Sequence, residues 1–99
     1  MIVIAGTLKI AADEVHGLYA ALTSLVPATL QEEGCMDYHF AIKDASEGTI
    51  LVYERWRDAA CLAAHLAAPQ IGAVLGSWGS KIAMDVLKFD ATNPRGPLD

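Results

Sequence analysis

Strand patterns and helix patterns alternate along this chain in an order that permits few folds. Four segments have the apolar or alternating character of strands: residues 2–10, 35–43, 49–57 and 81–89. Two segments carry apolar side chains at helical spacing: residues 12–32 and 58–68. The resulting order, βαββαβ, is the ferredoxin-like plan. The sequence therefore predicts an α+β fold in which helices cover one face of a four-stranded antiparallel sheet.

Proline and glycine positions are expected to shape the helices and turns. Pro27 lies inside the first helical pattern, where it removes a backbone donor and crowds the carbonyl of Thr23, so a kink is predicted there. Gly34 is predicted to end that helix, and residues 44–48 are predicted to form a hairpin turn. Residues 70–79 contain three glycines, which predicts only a short or loose third helix.

The chain is short and rich in apolar residues, and this combination predicts an oligomer. Of its 99 residues 54% are hydrophobic, and it is expected to form one domain over residues 1–90 with a tail at residues 91–99. The first strand is apolar on both faces, because Ile2 and Ile4 alternate with Val3. Two main helices cover only one face of the sheet. A second copy is therefore expected to cover the other face, sheet against sheet, as a homodimer.

Charge and motif content argue against several functional classes. The formal net charge is −5 and the seven Lys and Arg residues are scattered, so nucleic acid is not an expected partner. No apolar run approaches the length of a membrane span, and the apolar first residues lack the basic leader of a signal peptide. The expected compartment is the cytoplasm. The chain shows no glycine-rich phosphate loop and no nucleophile-elbow serine, so no nucleotide cofactor is implied.

The residues that commonly bind metals are dispersed along the chain. His16, His39 and His65 have no metal-ligand spacing, and Cys35 and Cys61 form neither a CxxC pair nor half of a zinc site. The two thiols are expected to be free and buried. The sequence predicts no metal site.

One predicted strand runs directly into a helix that ends or restarts at Pro69. Asp58 suits the N-cap of this helix, because its side-chain oxygen can accept a bond from an unpaired backbone N–H. Within the helix, Cys61, Leu62 and His65 share one face, since residues three and four apart lie on the same side. That face is apolar, so a titratable imidazole is aimed at the protein interior.

The same segment resembles a known family. The run Tyr53–Trp56, then Asp58, the tripeptide Ala64–Leu66 and the following Pro69 resemble the signature of the antibiotic biosynthesis monooxygenase domain. The upstream run Val26–Cys35 is similar to the matching part of the small quinol monooxygenases in that family. The resemblance covers roughly residues 2–89. It implies a homodimeric α/β barrel with one pocket per subunit.

The resemblance also implies the position of a site. Relatives place their pocket between the helices and the sheet, so the residues that face the helices from the third strand and from the second helix should line it. The matching residues in this chain are Val52, Glu54, Trp56, Leu62 and His65, with Thr7 on the first strand. Trp78, near the predicted third helix, is a separate candidate for a pocket lid.

These residues suggest roles in proton transfer and substrate binding. His65 is the candidate catalytic base, because an imidazole can take and return a proton near neutral pH. Glu54 is expected to orient His65 or to stabilise its cation. Trp56 is expected to pack against a flat aromatic substrate, and Val52 and Leu62 are expected to shape the pocket.

Each role has a plainer structural alternative. His65 could be an inert core histidine, and Trp56 could serve core packing alone. Glu54 could pair with a neighbouring arginine at the strand edge. Trp78 could anchor the segment that follows the second helix, and Tyr38 could be structural unless its phenol reaches the pocket.

The chain departs from relatives at three positions. Gln70 replaces the histidine that many relatives carry after the proline following the helix. Heme-degrading relatives have an asparagine on the first strand and a heme-ligating histidine on the third helix, and this chain has Thr7 and Leu75 at the matching positions. The resemblance therefore implies neither heme nor another cofactor.

Three functions are compatible with these residues. The first is a cofactor-independent monooxygenase that oxidises a quinol or another electron-rich aromatic or polyketide-like molecule with dioxygen. The second is proton-transfer chemistry of the polyketide-cyclase type, with His65 as the base and without oxygen uptake. The third is a non-catalytic or stress-related barrel that binds a small apolar molecule.

Overall fold

Four antiparallel strands form a single sheet in the order β2-β3-β1-β4, and the helices lie against one of its faces. The computed structural model describes all residues from Met1 to Asp99. The strands are β1 (Ile2–Lys9), β2 (Cys35–Asp44), β3 (Thr49–Trp56) and β4 (Ala83–Asp90). The helices are α1 (Val15–Ser24), α2 (Val26–Thr29), α3 (Ala59–Leu66) and α4 (Pro69–Trp78), with 3-10 turns at Ala12–Glu14 and Gly79–Lys81. The predicted ferredoxin-like α+β fold is confirmed.

The first helical region is interrupted next to Pro27, as predicted. α1 ends at Ser24, Leu25 forms the break, and Pro27 lies in the first turn of α2, where its missing N–H costs nothing. The helical region ends at Thr29, earlier than the predicted end at Gly34. Gly34 instead turns the chain into β2 with a φ of 77°, and a Cβ there would lie 2.4 Å from the sulfur of Cys61.

The prediction of a short or loose third helix is wrong. α4 has ten residues and begins at Pro69, which occupies a first-turn position. Gly72 and Gly76 face open space, whereas Ile71 and Val74 pack against the core. Burial of the apolar side therefore outweighs the low helix propensity of glycine.

Two apolar clusters fill the space between the sheet and the helices. One contains Ile2, Leu25, Tyr38, Trp56, Cys61, Leu62 and Ile71. The other contains Leu8, Ile10, Val15, Leu18, Leu22, Ile50 and Val52. Because side chains alternate along a strand, the even-numbered residues of β1 and β3 face the helices and the odd-numbered residues face away.

The outer face of the sheet carries large apolar side chains that no element covers. Leu51, Tyr53, Leu87 and Phe89 are 40–63% exposed. The β2–β3 side of this face is more polar, since the Asp37 carboxylate accepts hydrogen bonds from Arg55 and from the Tyr53 hydroxyl. Residues 91–99 follow β4 and contain no helix or strand.

No single helix has the length and apolarity needed to cross a membrane, although α3 and the Pro69–Lys81 segment, bent by 62°, meet that test as a pair by length and composition.

Candidate active site

A mostly apolar cavity of about 330 Å³ lies between the two core clusters. Thirteen of its 15 lining residues are hydrophobic, and they come from the inner face of the sheet and from α1, α3 and α4. This size is at the lower end of small-molecule sites, which suits a ligand of one or two rings.

The cavity lies over Gly6 of β1. Gly6 pairs with Val52 of β3 and with Val86 of β4, and both partners line the cavity together with Ile4 and Leu8. A Cβ at Gly6 would meet the carbonyl oxygen of Asp85 at 2.1 Å, so the position admits no side chain.

Three polar side chains line the cavity. They are Tyr38, Glu54 and His65, which come from β2, β3 and α3. Other lining side chains are apolar and solvent-exposed, since Leu66, Leu75 and Met84 are 56%, 49% and 63% exposed. These exposed side chains mark where the cavity meets solvent.

Local sequence fixes the position of His65. The Asp58 carboxylate accepts a hydrogen bond from the Cys61 N–H at 2.9 Å and caps α3, as predicted. The cap orients the helix so that Cys61, Leu62 and His65 are all buried, with His65 only 3% exposed. The His65 ring lies 4.7 Å from the Trp56 ring, measured between centroids.

The carboxylate that contacts His65 is Glu32, and the prediction that Glu54 orients the ring is wrong. His65 Nδ1 lies 2.8 Å from one carboxylate oxygen of Glu32 and 3.1 Å from the other. Glu54 instead accepts a hydrogen bond from the indole N–H of Trp56 at 2.9 Å. Sequence reasoning missed Glu32 because it lies 33 positions before His65, in the connection between α2 and β2.

Glu54 acts on His65 through space. Burial raises the pKa of the Glu54 carboxyl, while the Trp56 indole and the positive charge available on His65 lower it. Glu54 and Tyr38 are register partners on neighbouring strands. A carboxylate in this position can stabilise a cation on His65, which is the second of the two roles predicted for it.

Tyr38 is the one tyrosine on the cavity lining. Its ring lies 5.2 Å from the His65 ring and 5.1 Å from the Phe40 ring, both edge-on. Burial, followed by the nearby Glu54 and Glu32 carboxylates, raises the pKa of Tyr38, so its hydroxyl stays protonated at neutral pH. Tyr38 can therefore donate a hydrogen bond to a ligand oxygen.

A second, more open depression lies next to the apolar cavity; we call it the polar groove. It measures about 590 Å³, and its lining includes Glu32, Glu33, Arg57 and Asp58. His65 is the one residue that lines both spaces.

Ion pairs and a raised thiol pKa mark this groove. Arg57 pairs with Glu33 and with Asp58, at 3.2 Å in each case. The Asp58 carboxylate and burial raise the pKa of the Cys61 thiol, which therefore remains protonated.

The remaining predicted pocket residues occupy different places. Val52 lines the cavity. Leu62 and Trp56 are buried in the core cluster beside it and do not line it, although Trp56 contacts the His65 ring. Thr7 does not belong to the site. It is odd-numbered on β1, pairs with Leu51 and faces away from the helices.

Trp78 is an anchor and does not line the cavity. Its ring packs against the second core cluster and approaches Gly17 of α1, where a Cβ would lie 3.1 Å from the ring. The Lys81 ammonium lies 5.4 Å from the centre of the same ring. The lid role predicted for Trp78 is therefore wrong, and its alternative, an anchor for the chain after α4, fits the structure.

Two site residues could have been found from sequence signals. A glycine in the middle of an apolar strand often marks a place where something approaches the backbone closely, and Gly6 fits that pattern. Tyr38 lies in a strand of clear alternation, which places it on the buried face. No local signal identifies Glu32.

The site contains no set of metal ligands. No group of three or more His, Cys, Asp or Glu side chains is close enough to hold a metal ion.

Comparison with solved structures supports the fold. A protein of Deinococcus radiodurans, described provisionally as an antibiotic biosynthesis monooxygenase, is 23% identical with a TM-score of 0.85 over 97% of each chain. A protein of Bacteroides thetaiotaomicron, described as a possible oxidoreductase, is 23% identical with a TM-score of 0.79 over 89% of this chain and 94% of that one.

Comparison with curated sequences and with family models covers most of the chain. A curated, uncharacterised protein of Synechocystis sp. is 29% identical over 68 residues, which are 69% of this chain. The match spans 46% of that relative's length. The model of the family described as antibiotic biosynthesis monooxygenase matches residues 1–75, from β1 into α4. The chain therefore belongs to the antibiotic biosynthesis monooxygenase family.

Proposed function

We propose that this protein is a cofactor-independent monooxygenase that oxidises a quinol or a similar electron-rich aromatic with dioxygen. The observation that carries the proposal is an apolar cavity in which the buried ring of His65 lies beside the few polar groups. Such a cavity accepts a flat apolar molecule and presents a base to a hydroxyl group at one end of it. Family membership favours oxidation over other uses of the same arrangement.

The proposed reaction needs no external reductant. One hydroquinone and one dioxygen give one hydroxyquinone and one water. The base first removes a phenolic proton, and the resulting anion passes one electron to dioxygen. The two radicals then combine at a ring carbon, and the hydroperoxide loses water to leave the new carbonyl. The aromatic supplies all four electrons that dioxygen accepts.

The protein contributes a base, charge stabilisation and exclusion of water. His65 accepts the phenolic proton, and the nearby Glu54 carboxylate stabilises the imidazolium. Tyr38 can donate a hydrogen bond to the second ligand oxygen. The apolar walls, including Val52 and Phe40, keep water from the reactive intermediate.

Oxygen consumption on a panel of hydroquinones tests the proposal. The purified protein, without added flavin, metal or nicotinamide, should consume one dioxygen for each hydroquinone converted. Product formed without oxygen consumption would contradict oxidation and favour the cyclase-like alternative. Binding without turnover of any panel member would favour the non-catalytic barrel.

We also propose that two copies associate through the outer faces of their sheets. The exposed Leu51, Leu87 and Phe89 support this arrangement, because a second sheet would remove them from water. Light scattering at micromolar concentration should give twice the chain mass, and Leu87→Glu should shift it towards the monomer. Leu98→Glu, in the exposed tail, is the matched control. A monomer at that concentration for the unaltered chain would contradict the proposal.

A further inference from the structure

We infer that Glu32 is a positioning residue of this site: its carboxylate keeps the ring proton of His65 on Nδ1 and so leaves Nε2 free to accept a proton from a ligand. The inference rests on the proposed use of His65 as a base. It assigns a role to a residue of the Val26–Cys35 run that was not among the candidate site residues.

The geometry leaves one arrangement of the proton. Both carboxylate oxygens of Glu32 lie within hydrogen-bond distance of His65 Nδ1, at 2.8 and 3.1 Å. An ionised carboxylate only accepts hydrogen bonds, so Nδ1 must carry the hydrogen. A neutral imidazole has one N–H, and Nε2 is then the unprotonated, basic nitrogen.

Nε2 of His65 is available to a ligand. No protein atom forms a hydrogen bond with it. Thr29 Oγ1 is the one fully buried side-chain N or O atom without a partner, so the unpartnered Nε2 is not fully buried. His65 lines the apolar cavity as well as the polar groove. Nε2 therefore has access to space where a ligand can lie.

Glu32 is held in place by its own backbone. Its N–H donates to the carbonyl of Thr29 at 3.0 Å, and its carbonyl accepts from the N–H of Cys35 at 3.2 Å. The side chain is 24% exposed and borders the polar groove, whereas the ring it contacts is 3% exposed. Water can thus reach the Glu32 carboxyl group, while its partner lies in a low-dielectric site where a contact charge is effective.

The two carboxylates near His65 therefore have different tasks. Glu32 contacts the ring from the groove and determines which nitrogen is basic. Glu54 lies at the cavity, makes its hydrogen bond to Trp56, and acts on the imidazolium only through space. In catalytic triads, likewise, a carboxylate orients the histidine that acts as the base.

Glu32→Gln tests the inference without removing the contact. The amide has the same shape but no charge, and it can donate its NH₂ to Nδ1, so the ring hydrogen is no longer held on Nδ1 alone. With a hydroquinone that the protein oxidises, kcat should fall by about 10²–10⁴-fold while KM changes little. Glu33→Gln is the matched control, because Glu33 borders the same groove and pairs with Arg57. It should leave kcat unchanged.

Nitrogen-15 NMR of the His65 ring supplies a readout that does not depend on activity. At a pH where the ring is neutral, the unaltered protein should show the hydrogen on Nδ1. Glu32→Gln should show a mixture or the Nε2–H form, and Glu33→Gln should match the unaltered protein. A merely structural contact would lower stability without moving this hydrogen.

The outcomes separate this inference from the proposed function. An Nε2–H ring in the unaltered protein overturns the inference whether or not the variant folds, and so does an unchanged tautomer or an unchanged kcat in Glu32→Gln. If no hydroquinone is oxidised, the proposed function fails. The tautomer shift then decides the role of Glu32 by itself, and an Nδ1–H form lost in Glu32→Gln supports it.

Discussion

The apolar cavity and the polar groove share one residue, His65, and differ in nearly everything else. The groove is larger, about 590 Å³ against about 330 Å³, but it is lined by charged side chains that are already paired with one another. The cavity is smaller and almost entirely apolar. Volume alone therefore does not identify a candidate reactive site, because a base that takes a proton from a substrate is better kept away from water.

The two spaces arise from different parts of the elements. The cavity is formed mainly by residues in the middle of strands and helices, where strand alternation and helical spacing direct apolar side chains inward. The groove is formed largely at the ends of elements, where Glu32 and Glu33 follow α2 and Arg57 and Asp58 follow β3. Residues at such ends are polar because the exposed backbone there needs partners.

The largest effect is expected from removing His65, the residue shared by the cavity and the groove. His65→Ala should lower turnover by about 10²–10⁴-fold, the usual worth of a positioned acid–base group. The fold should persist, since the ring borders two spaces and is not enclosed by side chains on all sides. His16→Ala, at an exposed histidine of α1, is the control. Normal turnover by a folded His65→Ala protein would exclude His65 as the base.

Filling the cavity and the groove in separate variants tests which of the two spaces holds the ligand. Val74→Phe should place a ring in the apolar cavity and lower kcat/KM for a two-ring quinol by about tenfold or more. Gln70→Phe adds the same bulk to the groove and should have little effect. Steady-state oxygen uptake measures both variants. Equal losses in the two would mean that the ligand occupies the groove as well.

A groove residue should matter for stability more than for chemistry. Hydrogen bonds from the Cys61 backbone and side chain lower the pKa of Asp58 to about 2. Asp58→Ala should lower the melting temperature by about 4–8 °C at pH 7 through loss of the α3 cap.

The pH dependence of this loss follows from the direction of the shift. A lowered folded-state pKa stabilises the protein above the unfolded-state pKa, and that contribution disappears as pH falls through about 2. The difference between Asp58→Ala and the unaltered chain should therefore shrink below pH 4 in thermal melts. Asp58→Asn, which can still cap the helix, should lose less. A constant difference from pH 7 to pH 2.5 would contradict this account.

The smallest expected effect has the opposite sign and lies on the cavity side. Burial raises the pKa of Glu54, so the folded state binds its proton more tightly than the unfolded state does. Stability from this group is present below the unfolded-state pKa and is lost as pH rises through the folded-state pKa. Glu54→Gln should therefore gain about 1–2 °C in melting temperature over the unaltered chain between pH 4 and pH 7. A relative gain towards low pH would be the contrary result.

Local sequence signals were enough to predict the order of the elements, the break beside Pro27, the Asp58 cap and the burial of His65. Each depends on residues within a few positions of one another, where hydrogen-bonding partners and side-chain periodicity are local. The sequence also gave the candidate base, since His65 lies on an apolar helix face.

The groups that contact His65 and the residues that border the cavity became clear from the folded structure and not from the sequence. Glu32 reaches the ring across 33 positions, and Trp78 packs against α1 and not over the cavity. Thr7 faces away, because strand register assigns it to the outer face, and an apolar pattern on both faces of β1 does not show which face the helices cover. α4 forms a full helix despite its glycines, because packing against the core outweighs local propensity. In each case the deciding free energy comes from contacts between elements that are distant in the sequence.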